Sequence, residues 1–129
     1  MALRAHAAGL LCAVAAVELV VGHAVWLRRN DFVDGFVRIA DELAGESSPA
    51  WVDWHAAVTA LDAGRLPCSN AEAGVLRVAA SVAEGIPVDL GEVLTGLDER
   101  NLVLVAGAVL RAGGSTAPVG AGVGGGDRR

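Results

Sequence analysis

Residues 7–27 read AAGLLCAVAAVELVVGHAVWL, and the destination of this stretch decides the fold. It has about the length that spans a bilayer. Glu18 near its centre costs about 2.5–3.5 kcal/mol on the insertion scale, while each Leu or Val returns about 0.3–0.6 kcal/mol, so the sum comes out near zero. Trp26 beside Arg28 and Arg29 would suit an interfacial anchor with the following chain in the cytoplasm. A signal peptide would use Arg4 as its charged start and residues 7–17 as its apolar core, with cleavage after Gly22-His23-Ala24. The apolar Leu19-Val20-Val21 then falls where a polar region belongs. The preferred reading is a helix buried at the centre of a small bundle, because a helix apolar on nearly all sides is an interior one. Glu18 then needs a buried partner, which Arg28, Arg29 or Arg100 would supply as an ion pair.

Outward from that helix, Asn30-Asp31 offers a cap to a segment that places Phe32, Val33, Phe36, Val37, Ala40 and Leu43 on one helical face, with Gly45 as its stop. Asp34, Arg38 and Glu42 then form a solvated opposite face. Pro49 opens a further helix in which Trp51, Trp54, His55, Val58 and Leu61 recur at spacings of three and four before Gly64. Ser69 and Glu72 spell a capping box, followed by the stripe Val75, Leu76, Ala79, Val82, Ala83 and the stop Gly85. Asp89 with Glu92 repeats the box for a short turn ending near Gly96, and Asp98 caps a last helix through the unbroken apolar run Leu102 to Leu110. From Gly113 onward GGSTAPVGAGVGGGDRR holds too little apolar surface to offset its ordering entropy. The expectation is therefore all-α: a single helical bundle domain over residues 1–113 and a disordered Gly-rich tail over residues 114–129.

Composition narrows function by exclusion. The chain has 129 residues, 53% hydrophobic and 19% charged, with a formal net charge of −5, enough for one core. All ten basic residues are Arg, which matches the codon bias of a GC-rich genome, and none forms a run longer than Arg28-Arg29 or Arg128-Arg129. Phosphate neutralisation has no footprint, so nucleic acid is not an expected partner. Cys12 and Cys68 lie without CxxC or metal spacing, which fits a free thiol pair in a reducing, cytoplasmic compartment.

Each chemical motif has a weak form here. Gly120 to Gly125 match GxGxxG, but no strand can precede and no helix can follow with four residues left. Residues 89–111 have the outline of a helix-turn-helix, yet the second helix offers only Arg100 and Asn101 to a base edge. His6, His23 and His55 have no partner at i, i+4, so no metal is expected, and no cofactor either. Cys68 just ahead of the Ser69 cap sits where a helix N-terminus lowers a thiol pKa. His55 reads as a partly buried, hydrogen-bonded histidine on the tryptophan stripe. Trp51, Trp54 and His55 form the candidate interaction surface, since tryptophan concentrates at interface hot spots.

The stretch SNAEAGVLRVAASVAEGIPVDLGEVLTGLDERNLVLVAGAVLRAGG, residues 69–114, with its pieces VLRVAAS (75–81), GIPVDL (85–90) and GLDERN (96–101), resembles a segment of a family of small uncharacterised actinobacterial proteins. AVELVVGHAVWLRRNDFV (16–33) and WVDW (51–54) extend the resemblance over most of the chain. It implies a small intracellular protein and carries no catalytic residues with it. Together these readings lead to an expectation of a non-enzymatic protein that binds another protein or itself, with no small-molecule ligand evident. The alternative is a single-pass membrane-anchored protein that uses residues 7–27 as its span.

Overall fold

A computed structural model describes residues 2–39 and 50–115, with side chains from Gly9 to Arg38 and from Trp51 to Ser115. Within them the chain forms α1 (Ala2–His23), a 3-10 turn (Trp26–Arg28), α2 (Asn30–Phe36), β1 (Val37–Ile39), β2 (Ala50–Val52), α3 (Trp54–Asp62), α4 (Asn70–Glu84), α5 (Leu90–Thr95) and α6 (Glu99–Ala112). The all-α expectation holds, with one addition: β1 and β2 pair antiparallel, Val37 opposite Val52, Arg38 opposite Trp51 and Ile39 opposite Ala50.

The centre of the bundle is α4, which packs against α1, α3, α5 and α6. The capping box forms as the sequence indicates: Glu72 N–H donates to Ser69 Oγ at 3.1 Å, and Ser69 N–H donates to Glu72 Oε1 at 2.9 Å. Gly85 closes the helix in the left-handed region at φ 72°. Its buried residues, Gly74, Val75, Leu76, Val78, Ala79 and Ala80, cover more of the helix circumference than the expected stripe. Gly74 lies under α5, where an added Cβ would come 3.0 Å from Val93 Cγ1, so the missing side chain lets the two helices approach.

The helix α1 is not the fully buried centre that its composition suggests. Ala15, Ala16, Leu19, Val20 and His23 are buried against α4 and α6, whereas Leu10, Leu11, Val14, Val17 and Val21 are exposed. With only about one hundred residues to wrap it, the bundle covers one side of this helix. Packing on α6 is antiparallel: Glu18 meets Arg111, and Arg100 reaches the Gly22 carbonyl at 3.2 Å. Trp26 is fully buried, packs against the Phe32 ring at a tilt of 47° and donates from Nε1 to the Glu72 carbonyl at 3.0 Å, so it is a core residue and not an interfacial anchor.

Two expected helices are shorter than their periodicity. The segment from Asn30 leaves the helix at Phe36, and Val37 adopts extended backbone at φ −95°, ψ 124°. Trp51 lies in β2 and not on a helix, because Asp53 is the true cap of α3: its side chain accepts from Ala56 N–H, and its own N–H donates to the Phe36 carbonyl at 2.7 Å. Arg38 accordingly pairs with Asp53 at 3.5 Å and not with a helical neighbour. Ala40, Glu42, Leu43, Gly45 and Pro49 lie outside the described residues. At the far end Gly114 and Ser115 still bond back onto α6, just beyond the expected boundary at 113. The rest of the Gly-rich tail, from residue 116, lies outside the described residues, with the GxGxxG match.

Candidate interaction surface

Alternation along β2 sets the site. Val52 points into the core, so its neighbour Trp51 points the other way and is 49% exposed, whereas Trp54, at the start of α3, is only 5% exposed. The tryptophans therefore do not share a stripe. Both nevertheless line one depression beside α1, and Trp51 also lines a second, apolar hollow next to it.

On one side of Trp51 the groove is a cavity of 140 Å³ lined by Val17, Val20, Leu27, Val37, Trp51 and Val52. On the other it widens into a depression of 350 Å³ that adds Val14, Glu18, Trp54 and Glu84 to the shared Val17, Trp51 and Val52. An apolar floor with a tryptophan at its centre and ionisable groups at its edge has the anatomy of an interface patch. The edge groups are partnered within the chain. Arg111 Nε meets Glu18 Oε1 at 2.6 Å, and His55 Nε2 lies 3.8 Å from Glu84 Oε1.

Several sequence expectations change here. Glu18 does form an ion pair, but its partner is Arg111 on α6, and both side chains are about half exposed, so the pair is solvent-screened and not buried. Arg29 is engaged elsewhere, with Asp31, the Pro67 carbonyl and the Trp26 ring face. His55 is exposed, not partly buried on a tryptophan stripe. Burial pushes the Cys68 thiol up, with Glu72 acting in the same direction, against the opposing Arg29 and Arg77. The expected lowering by the helix terminus does not prevail. Of the base-reading candidates, Asn101 is buried and Arg100 donates to the Gly22 carbonyl.

His23 at the end of α1 is buried with Nδ1 unpartnered, as is Asn101 Oδ1 near the start of α6. Burial lowers the His23 pKa from 6.5; Glu72 opposes this, Arg100 reinforces it and Asp98 opposes it. A larger cleft of 590 Å³ lies between α4 and α5, where Arg77 is paired with Asp62 at 2.7 Å and Asp89 caps α5. Among the described residues no group of three or more His, Cys, Asp or Glu is placed to hold a metal ion.

The outer stripe of α1 was missed because the helix reads as apolar all round. The recurrence of Leu10, Val14, Val17 and Val21 at spacings of four, three and four is the signal that marks it. No family model, no curated protein and no solved structure matches this chain.

Proposed function

We propose that this protein is a non-enzymatic, cytoplasmic interaction module that docks an apolar protein segment in the groove around Trp51. The observation that carries the reading is Trp51 itself, a large aromatic ring left half in solvent between two apolar hollows when the other two tryptophans are core. Leaving such a ring exposed forgoes burial worth about 1.5–3 kcal/mol for a large apolar side chain, which a partner would recover. Glu18 is already held by Arg111, so affinity would come mainly from the apolar floor. Among the described residues no helix is long and apolar enough to cross a membrane, and α1 commits one face to α4 and α6.

The test places a photoreactive aromatic amino acid at position 51 in cells, with the same residue at the exposed Asp34 as control. The expected result is a discrete adduct of defined mass at position 51 and none at position 34. Equal or absent labelling at the two positions would contradict the proposal.

A further inference from the structure

The outer face of α1 continues the groove and has its own regularity. Leu10, Val14, Val17 and Val21 are 57%, 49%, 37% and 54% exposed, and they form an a/d seam of a heptad pattern. The same spacing runs back in the sequence through Ala7 and Leu3, over the length of one continuous helix. A seam of this spacing is the pattern by which two helices pair, and the exposed Leu11 flanks it.

Charge narrows the occupant. Glu18 is the single acidic residue in α1 and is bound by Arg111, so between Gly9 and Gly22 the face carries no unpaired charge even though the chain carries −5. A neutral apolar seam offers nothing to a charged partner and does not repel its own copy at the contact. Area sets the strength: Leu10, Leu11, Val14, Val17, Val21 and Trp51 expose on the order of 500–600 Å² per copy, so a symmetric pair covers at most about 1,100 Å², the size of a weak, reversible interface.

We infer that the occupant of this face is a second copy of the chain, with the two α1 helices packed across a two-fold axis and Trp51 of each copy at the edge of the seam. The contact is isologous, each seam meeting its own image, and it closes at two copies. This rests on the docking reading above and names the partner.

Sedimentation equilibrium of the full chain over a wide concentration range tests it. The wild type is expected at twice 13.0 kDa. Val14→Glu is expected at the single-chain mass with unchanged far-ultraviolet circular dichroism, and Leu90→Glu, on the exposed but remote α5, remains paired. Leu10→Gln, at the open end of the seam, keeps the test decisive if Val14→Glu fails to fold, and weakens pairing about tenfold. A wild type that stays at 13.0 kDa, or a pair indifferent to both seam substitutions, would overturn the inference. So would a single chain that pellets with phosphatidylcholine vesicles through the same residues. A monomeric wild type that still gives a non-self adduct at position 51 would remove self-pairing and leave the docking reading standing.

Discussion

Gly64, Gly85 and Gly114 end α3, α4 and α6 in the left-handed region, and Ala24 does the same work for α1 at φ 70°. In each case the chain turns so that an N–H caps the last carbonyls: Ala24 N–H donates to the Val20 carbonyl at 3.0 Å, as Gly85 N–H donates to that of Ser81 at 2.8 Å. A Cβ in this region costs roughly 1–2 kcal/mol, part of which returns through the lower entropy of alanine in the unfolded chain. Ala24→Gly is therefore expected to raise stability by about 0.5–1 kcal/mol in urea titration. No gain would mean that the turn is held by something other than its backbone. The adjacent His23 has the opposite liability. Its pKa is lowered on folding, so the unfolded chain binds the proton first, and stability is full above pH 6.5 and falls as pH drops below it. The expected loss is at most about 1.4 kcal/mol per pH unit, and it disappears in His23→Phe if this imidazole is its source.

At the scale of elements, the start of α4 is the best-fastened point of the chain. The Ser69 and Glu72 box closes it, Trp26 Nε1 bonds the Glu72 carbonyl, and Arg29 bonds the Pro67 carbonyl at 2.7 Å. Ser69→Ala is expected to cost about 1 kcal/mol by thermal or chemical denaturation, since it orphans a helix N–H at the central element. Caps and stops of this kind are legible because they are local: Ser69, Asp98, Gly64 and Gly85 act as their chemistry indicates, whereas at Asp89 only the aspartate half of the expected box forms, and no side chain caps α2 at Asn30-Asp31. The ribbon was not legible, because Val37 and Val52 meet across the chain and neither neighbourhood reveals the other. A helix through Val37 satisfies the local spacing, yet pairing on Val52 satisfies the backbone and the core together. Asp53, just ahead of an apolar run, was a readable cap that the spacing of Trp51 and Trp54 obscured. The partner of Glu18 was equally out of reach, since Arg111 lies at the far end of the described chain.

For the whole molecule, the amount of apolar sequence exceeds what so short a chain can enclose. The bundle closes on α4, and the surplus stands most continuously on the outer face of α1 and at Trp51, with Leu90 on α5 and Leu102, Val103 and Val109 on α6 exposed as well. That surplus is the reason for assigning a docking face, and its regular spacing is the reason for assigning a second copy to it. The most direct measurement is acrylamide quenching of tryptophan fluorescence as a function of protein concentration. Trp26 and Trp54 are buried, so the accessible emission belongs to Trp51 and is lost in Trp51→Phe. One quenchable component in dilute protein, becoming protected as concentration rises, is the predicted result. No quenchable component in dilute protein, or one equally exposed at every concentration, would contradict the account.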